Sequence, residues 1–120
     1  MSYDLDFWRY KHDAGGNANH QDIYERLSDG QRIDVLEELP IDEIMKRVNE
    51  VFSTGGWKKL DDLNWASENG AFQLYTTSQL FRVDCYGMDG NDVNKFIDIA
   101  SEFDCPLYDP QVGERYSVSS

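Results

Sequence analysis

The alternation of hydrophobic periods along this chain predicts an α+β fold: a two-layer sandwich with a mainly antiparallel sheet and helices on one face. Three observations carry that expectation. A period-two run opens the chain, and two adjacent period-two runs over 71–77 and 80–86 read as an antiparallel hairpin. Apolar residues at helical spacing separate these runs from one another and from a last short apolar stretch.

In the opening run Tyr3, Leu5 and Phe7 alternate with Asp4, Asp6 and Trp8, which predicts a strand with one wet face. Residues 13–19 are rich in glycine and asparagine and predict a flexible loop. Ile23, Tyr24 and Leu27 then fit a short helix from His20, stopped by Asp29-Gly30. Ile33, Val35, Leu36 and Leu39 form an apolar patch before Pro40, which suits the opening of a helix because its missing N–H would be unbonded there. That helix carries Ile41, Ile44, Met45, Val48, Val51 and Phe52 in steps of three and four. Asp42 and Glu43 sit in its first turn, where the dipole favours anions, and Gly55-Gly56 ends it.

The stretch from Trp57 to Trp65 fits either a packed loop or a short strand. Asn69-Gly70 signals a turn into Phe72, Leu74 and Thr76 alternating with Gln73 and Tyr75; the return strand sets Phe81, Val83 and Cys85 against Arg82, Asp84 and Tyr86. Asp89, Gly90 and Asn91 offer N-cap chemistry to a helix bearing Val93, Phe96, Ile97, Ala100 and Phe103. Leu107-Tyr108 predicts a brief last strand, and the tail from Ser117 is expected to fray. The order suits a single domain over residues 1–120 in a ferredoxin-like arrangement. The sheet face turned away from the helices is then expected to present Trp8, Tyr75, Asp84 and Tyr86.

Hydrophobic residues make up 40% of the 120 and aromatics 13%, enough to bury one core without disulfides. Against 23 Asp and Glu stand 11 Lys and Arg, a formal charge of −12. Such a field repels nucleic-acid phosphates and anionic lipid, and it draws in basic proteins. From Asp84 onward there are eight acids, opposed by Lys95 and Arg115 alone. No apolar run approaches a membrane span, and the first residues are acidic where a signal peptide is basic, so the cytosol is the expected compartment. There Cys85 and Cys105 are expected as free buried thiols.

Catalytic signatures do not emerge. Neither a G-x-S-x-G elbow nor a phosphate-cradling glycine loop with its lysine occurs, and the adjacent acids Glu37-Glu38, Asp42-Glu43 and Asp61-Asp62 point to different sides of any regular element. His12 and His20 flank the glycine-rich segment without the spacing or further ligands of a metal site. The expectation is a binding protein, not an enzyme, with no cofactor and no metal. Charge and face make Asp84, Tyr86, Asp89, Asp92, Tyr108 and Asp109 the candidate partner-binding residues.

Three phrases carry a resemblance: Met1-Ser2-Tyr3-Asp4 leading to Phe7-Trp8, Phe81 to Met88 (FRVDCYGM), and Cys105 to Gln111 (CPLYDPQ). Together they resemble small acidic bacterial immunity proteins of polymorphic toxin systems, including those of contact-dependent growth inhibition. The resemblance implies a cytoplasmic protein that binds a cognate toxin domain, often a basic nuclease, and blocks its active site or its engagement with a target. An acidic interaction module with no toxin partner is the alternative reading, and a small-molecule-binding or catalytic domain a third.

Overall fold

The computed structural model describes residues 2–11, 19–68, 70–110 and 114–116. Among the described residues seven strands and three helices run in the order β1 (Ser2–Phe7), α1 (His20–Ser28), α2 (Ile41–Phe52), β2 (Lys58–Lys59), β3 (Asn64–Ala66), β4 (Ala71–Thr76), β5 (Phe81–Tyr86), α3 (Gly90–Ser101), β6 (Leu107–Asp109) and β7 (Glu114–Tyr116). They make an α+β fold around one antiparallel sheet of order β2-β3-β4-β5-β1-β6-β7. The four strands β4-β5-β1-β6, with α2 leading from β1 toward β4 and α3 joining β5 to β6, form the expected ferredoxin-like centre. The β2–β3 hairpin extends one edge and β7 the other. The stretch from Trp57 to Trp65 is therefore strand at both ends, with Asp61 holding the turn between them by accepting from the Leu63 N–H at 2.8 Å and from Asn64 Nδ2 at 2.9 Å.

The helix boundaries follow their local chemistry. Asn19 caps α1 by accepting from the Asp22 N–H at 3.0 Å, and Asp89 caps α3 by accepting from the Asp92 N–H at 3.0 Å. Pro40 stands at the N-cap of α2. Gly55 and Gly56, at φ of 79° and 86°, reverse the chain after it in a conformation that side chains disfavour. Apart from Asn19, the residues of the expected 13–19 loop lie outside the described residues, as do 117–120.

The principal core lies between the sheet and the α2–α3 layer. Leu5, Phe7, Phe72, Leu74, Phe81, Val83 and Cys85 project from the strands to meet Ile44, Val48 and Phe52 of α2 and Phe96, Ile99 and Ala100 of α3. Phe52 sits at its centre, with ring centroids 4.7 Å from Phe96 and 4.9 Å from Phe72. Arg47 clamps the outside of the layer, reaching Glu102 through Nε at 2.9 Å and Nη2 at 3.0 Å.

The placement of α1 departs from the sequence expectation. Strand alternation predicts a wet face for β1, yet Asp6 and Trp8 are as buried as Phe7. The reason is α1, which packs on the opposite sheet face from α2 and α3. Ile23 and Leu27 of α1, Ile33, Leu36 and Leu80 form a second core with Trp8 and Tyr108. Periodicity shows which residues share a face, not whether another element covers that face. Trp8 is accordingly withdrawn from the exposed surface where it was expected. Buried Gln79 locks this second core by accepting from the Ile33 N–H at 2.8 Å and donating to the carbonyls of Ile33 and Leu36 at 2.8 and 3.1 Å. No helix among the described residues is long and apolar enough to cross a membrane.

Candidate protein-binding face

Cross-strand register arranges the second sheet face as rows of neighbours. Tyr75, Arg82, Asp6 and Tyr108 follow one another across β4, β5, β1 and β6, while Asn64, Gln73, Asp84 and Asp4 form the adjacent row across β3, β4, β5 and β1. The α1 helix roofs the β1–β6 half of these rows and leaves the β3–β4–β5 half open. Within the open half Tyr75 is 37% and Tyr86 45% exposed, and Leu63, 41% exposed, stands at its margin. A shallow depression of about 310 Å³ is lined there by Ser28, Leu63, Gln73, Tyr75, Arg82 and Asp84.

Where the roofed and open halves meet, three carboxyl groups gather around one guanidinium. Like charges directly opposite on neighbouring strands, as at Asp4 and Asp84, repel. Arg82 offsets this, with Nε 3.0 Å from Asp84 and 3.7 Å from Asp4. Burial alone would lower the guanidinium's pKa, but Asp4, Asp84 and Asp6 together hold it above its ordinary value. Tyr24 of α1 closes the roof by donating its hydroxyl to Asp4 at 3.2 Å, and its ring lies 6.0 Å from the Arg82 guanidinium. Burial, then the charges of Asp4 and Asp6, raise the Tyr24 phenol's pKa.

Asp6 is the unusual member. It is fully buried, and as a carboxylate neither oxygen meets a hydrogen-bond donor. Burial, a hydrogen bond with Asp4 and the charge of Asp4 push its pKa up to about 9. The group is therefore a neutral carboxylic acid at pH 7 that donates to Asp4, as a desolvated acid beside another acid must be.

The candidate residues do not converge on one spot. Asp84 and Tyr86 lie together on the open half, as expected, although Asp84 is already engaged by Arg82. Asp89 and Asp92 belong to the start of α3, where Asp89 serves as the cap and Asp92 pairs with Lys95 Nζ at 3.2 Å. They line a separate depression of about 440 Å³ with Gly55, Trp57 and Glu68. Tyr108 needs correction: it is fully buried beneath α1, its hydroxyl donating to Gln21 Oε1 at 2.5 Å, so it supports the roof and is closed to a partner. Asp109 is half-buried on β6, opposite Glu114 of β7 and beyond the roofed half. Leu63, Asp4, Asp6 and Arg82 were missed, because their proximity depends on register and on the path of α1.

Both cysteines are buried and neither is in a disulfide. Burial, followed by the charges of Asp84 and Asp4, pushes the Cys85 thiol up to about 12, which keeps it protonated and poorly nucleophilic. His20 is hydrogen-bonded through Nδ1 to the Tyr10 hydroxyl at 2.7 Å, and His12 lies outside the described residues. Among the described residues no group of three or more His, Cys, Asp or Glu is placed to hold a metal ion. The fold and this face define an acidic α+β protein whose sheet is covered by helices on one side and half-covered on the other. No family model, curated protein or solved structure matches the chain.

Proposed function

We propose that this protein is an inhibitor that binds a basic protein domain, in the manner of an immunity protein neutralising a bacterial toxin. The observation that carries the reading is the open half of the second sheet face. Tyr75 and Tyr86 stand there beside Asp84, with Leu63 at the margin, in a chain of formal charge −12. Aromatic anchors supply desolvated contact area, while the surrounding carboxylates speed encounter with a cationic surface and reject anionic ones. A nuclease-type toxin, whose cleft is built for phosphates, has the complementary charge. The resemblance of the three sequence phrases to immunity proteins points the same way. Blocking the toxin's active site or its engagement with a target requires neither cofactor nor metal from the inhibitor, and the cytosol is where such an inhibitor acts.

Co-expression with a basic C-terminal domain of a large secreted protein encoded beside this one tests the proposal. Co-purification and rescue of growth are expected. Changing Tyr75 and Tyr86 together to alanine should weaken the complex by about tenfold or more, while the thermal midpoint of the free protein moves by only a few degrees. Unimpaired binding by that variant would remove the sheet face from the interface.

A further inference from the structure

Resting on the reading above, we propose that the depression beside Asp84 receives an arginine or lysine side chain of the partner, and that its arrival releases to solvent the proton Asp6 shares with Asp4. The geometry supplies a path for this linkage. Asp84 and Arg82 line the open depression, whereas Asp4 and Asp6 lie next to them under α1. Arg82 is divided between the two sides, nearer Asp84 at 3.0 Å than Asp4 at 3.7 Å. A cation arriving at Asp84 competes with Arg82 for that carboxylate, and the guanidinium can then turn toward Asp4 and Asp6.

The buried Asp6 carboxyl is the independent sign that the cluster is incomplete in the free protein. Its two oxygens lack any donor once ionised, so a proton substitutes for a missing positive charge. The groups facing it are Asp4 on its own strand, Arg82 and Asp84 on β5, Tyr108 on β6, and Tyr24 on α1, which reaches it through Asp4. Arg82 is the sole cation among these groups. Strengthening its hold on Asp4 and Asp6, or adding a second positive charge beside Asp84, favours the ionised form of Asp6. Binding should then tighten as pH rises between the midpoint of Asp6 in the complex and its higher midpoint in the free protein, by up to about tenfold per pH unit for one proton released.

Two measurements on the full chain test the linkage. Carboxyl-carbon NMR should find that Asp84→Asn, which removes the competing partner of Arg82 as the incoming cation does, lowers the Asp6 midpoint by about one pH unit or more. An unmoved midpoint overturns the linkage whatever the partner. Calorimetry with an oligo-arginine peptide, run in two buffers of different ionisation enthalpy, should show a proton released on binding to the native protein and none with Asp6→Asn. Peptide that binds at Tyr75 and Gln73 without proton release overturns this inference and leaves the proposed function standing. Absence of peptide binding anywhere on the protein counts against both.

Discussion

Replacing Asp6 by asparagine is expected to stabilise the protein, by roughly 4 kcal/mol at pH 7. The sign follows from the proton balance. The folded state holds the Asp6 proton up to about pH 9, while an unfolded aspartate releases its own near 3.8. Between those values the folded chain binds a proton that the unfolded chain has lost, so this group's contribution to stability falls as pH rises, by about 1.4 kcal/mol per unit. Below the unfolded value the penalty vanishes. Asparagine fills nearly the same volume, offers Asp4 an N–H donor and has no proton to lose. Denaturant midpoints of the two proteins should therefore nearly coincide around pH 4 and diverge steadily toward pH 8. A difference independent of pH would mean that Asp6 is ionised in its burial site.

Phe52→Ala is expected to act in the opposite direction, costing about 3–5 kcal/mol. The Phe52 ring is fully buried at the meeting point of α2, α3 and the sheet, stacked on Phe96 at an interplanar angle of 24° and packed edge-on to Trp57 at 5.5 Å. Truncation leaves a cavity among large rings that are fixed by their own strands and helices, so collapse around it is limited. The thermal midpoint should fall by well over about 10 °C. A loss below about 1 kcal/mol would show that the α2–α3 layer is not the main source of stability.

The parts of this fold legible in the sequence were those specified by local chemistry. The period-two runs at β1, β4 and β5, the i, i+4, i+8 spacing of Ile44, Val48 and Phe52, and the caps at Pro40 and Asp89 each express a preference within a few residues. Their order led to the ferredoxin-like centre. The edge hairpin is not legible in the sequence because Lys58-Lys59 and Asn64–Ala66 are too short to establish a period. The side of the sheet that α1 would choose had no local signature. Ile23 and Leu27 require only an apolar surface, and both sheet faces offered one. That single choice buries Trp8 and Tyr108, turns Asp6 into a neutral acid and divides the second face into a roofed half and an open half. The candidate site was legible to the same degree: alternation placed Tyr75, Asp84 and Tyr86 on a common face, but the Asp4, Asp6 and Arg82 cluster beside them arises from strand register.

The proposed function requires that the open half of the sheet dock a basic protein. Amide NMR of the labelled protein, free and bound to the co-purified basic domain, tests it most directly. The largest shifts are expected at Gln73, Tyr75, Asp84 and Tyr86, with smaller ones in α1 as the cluster beneath it responds. Shifts confined to the outer surface of α2 and α3, with β4 and β5 unmoved, would contradict it.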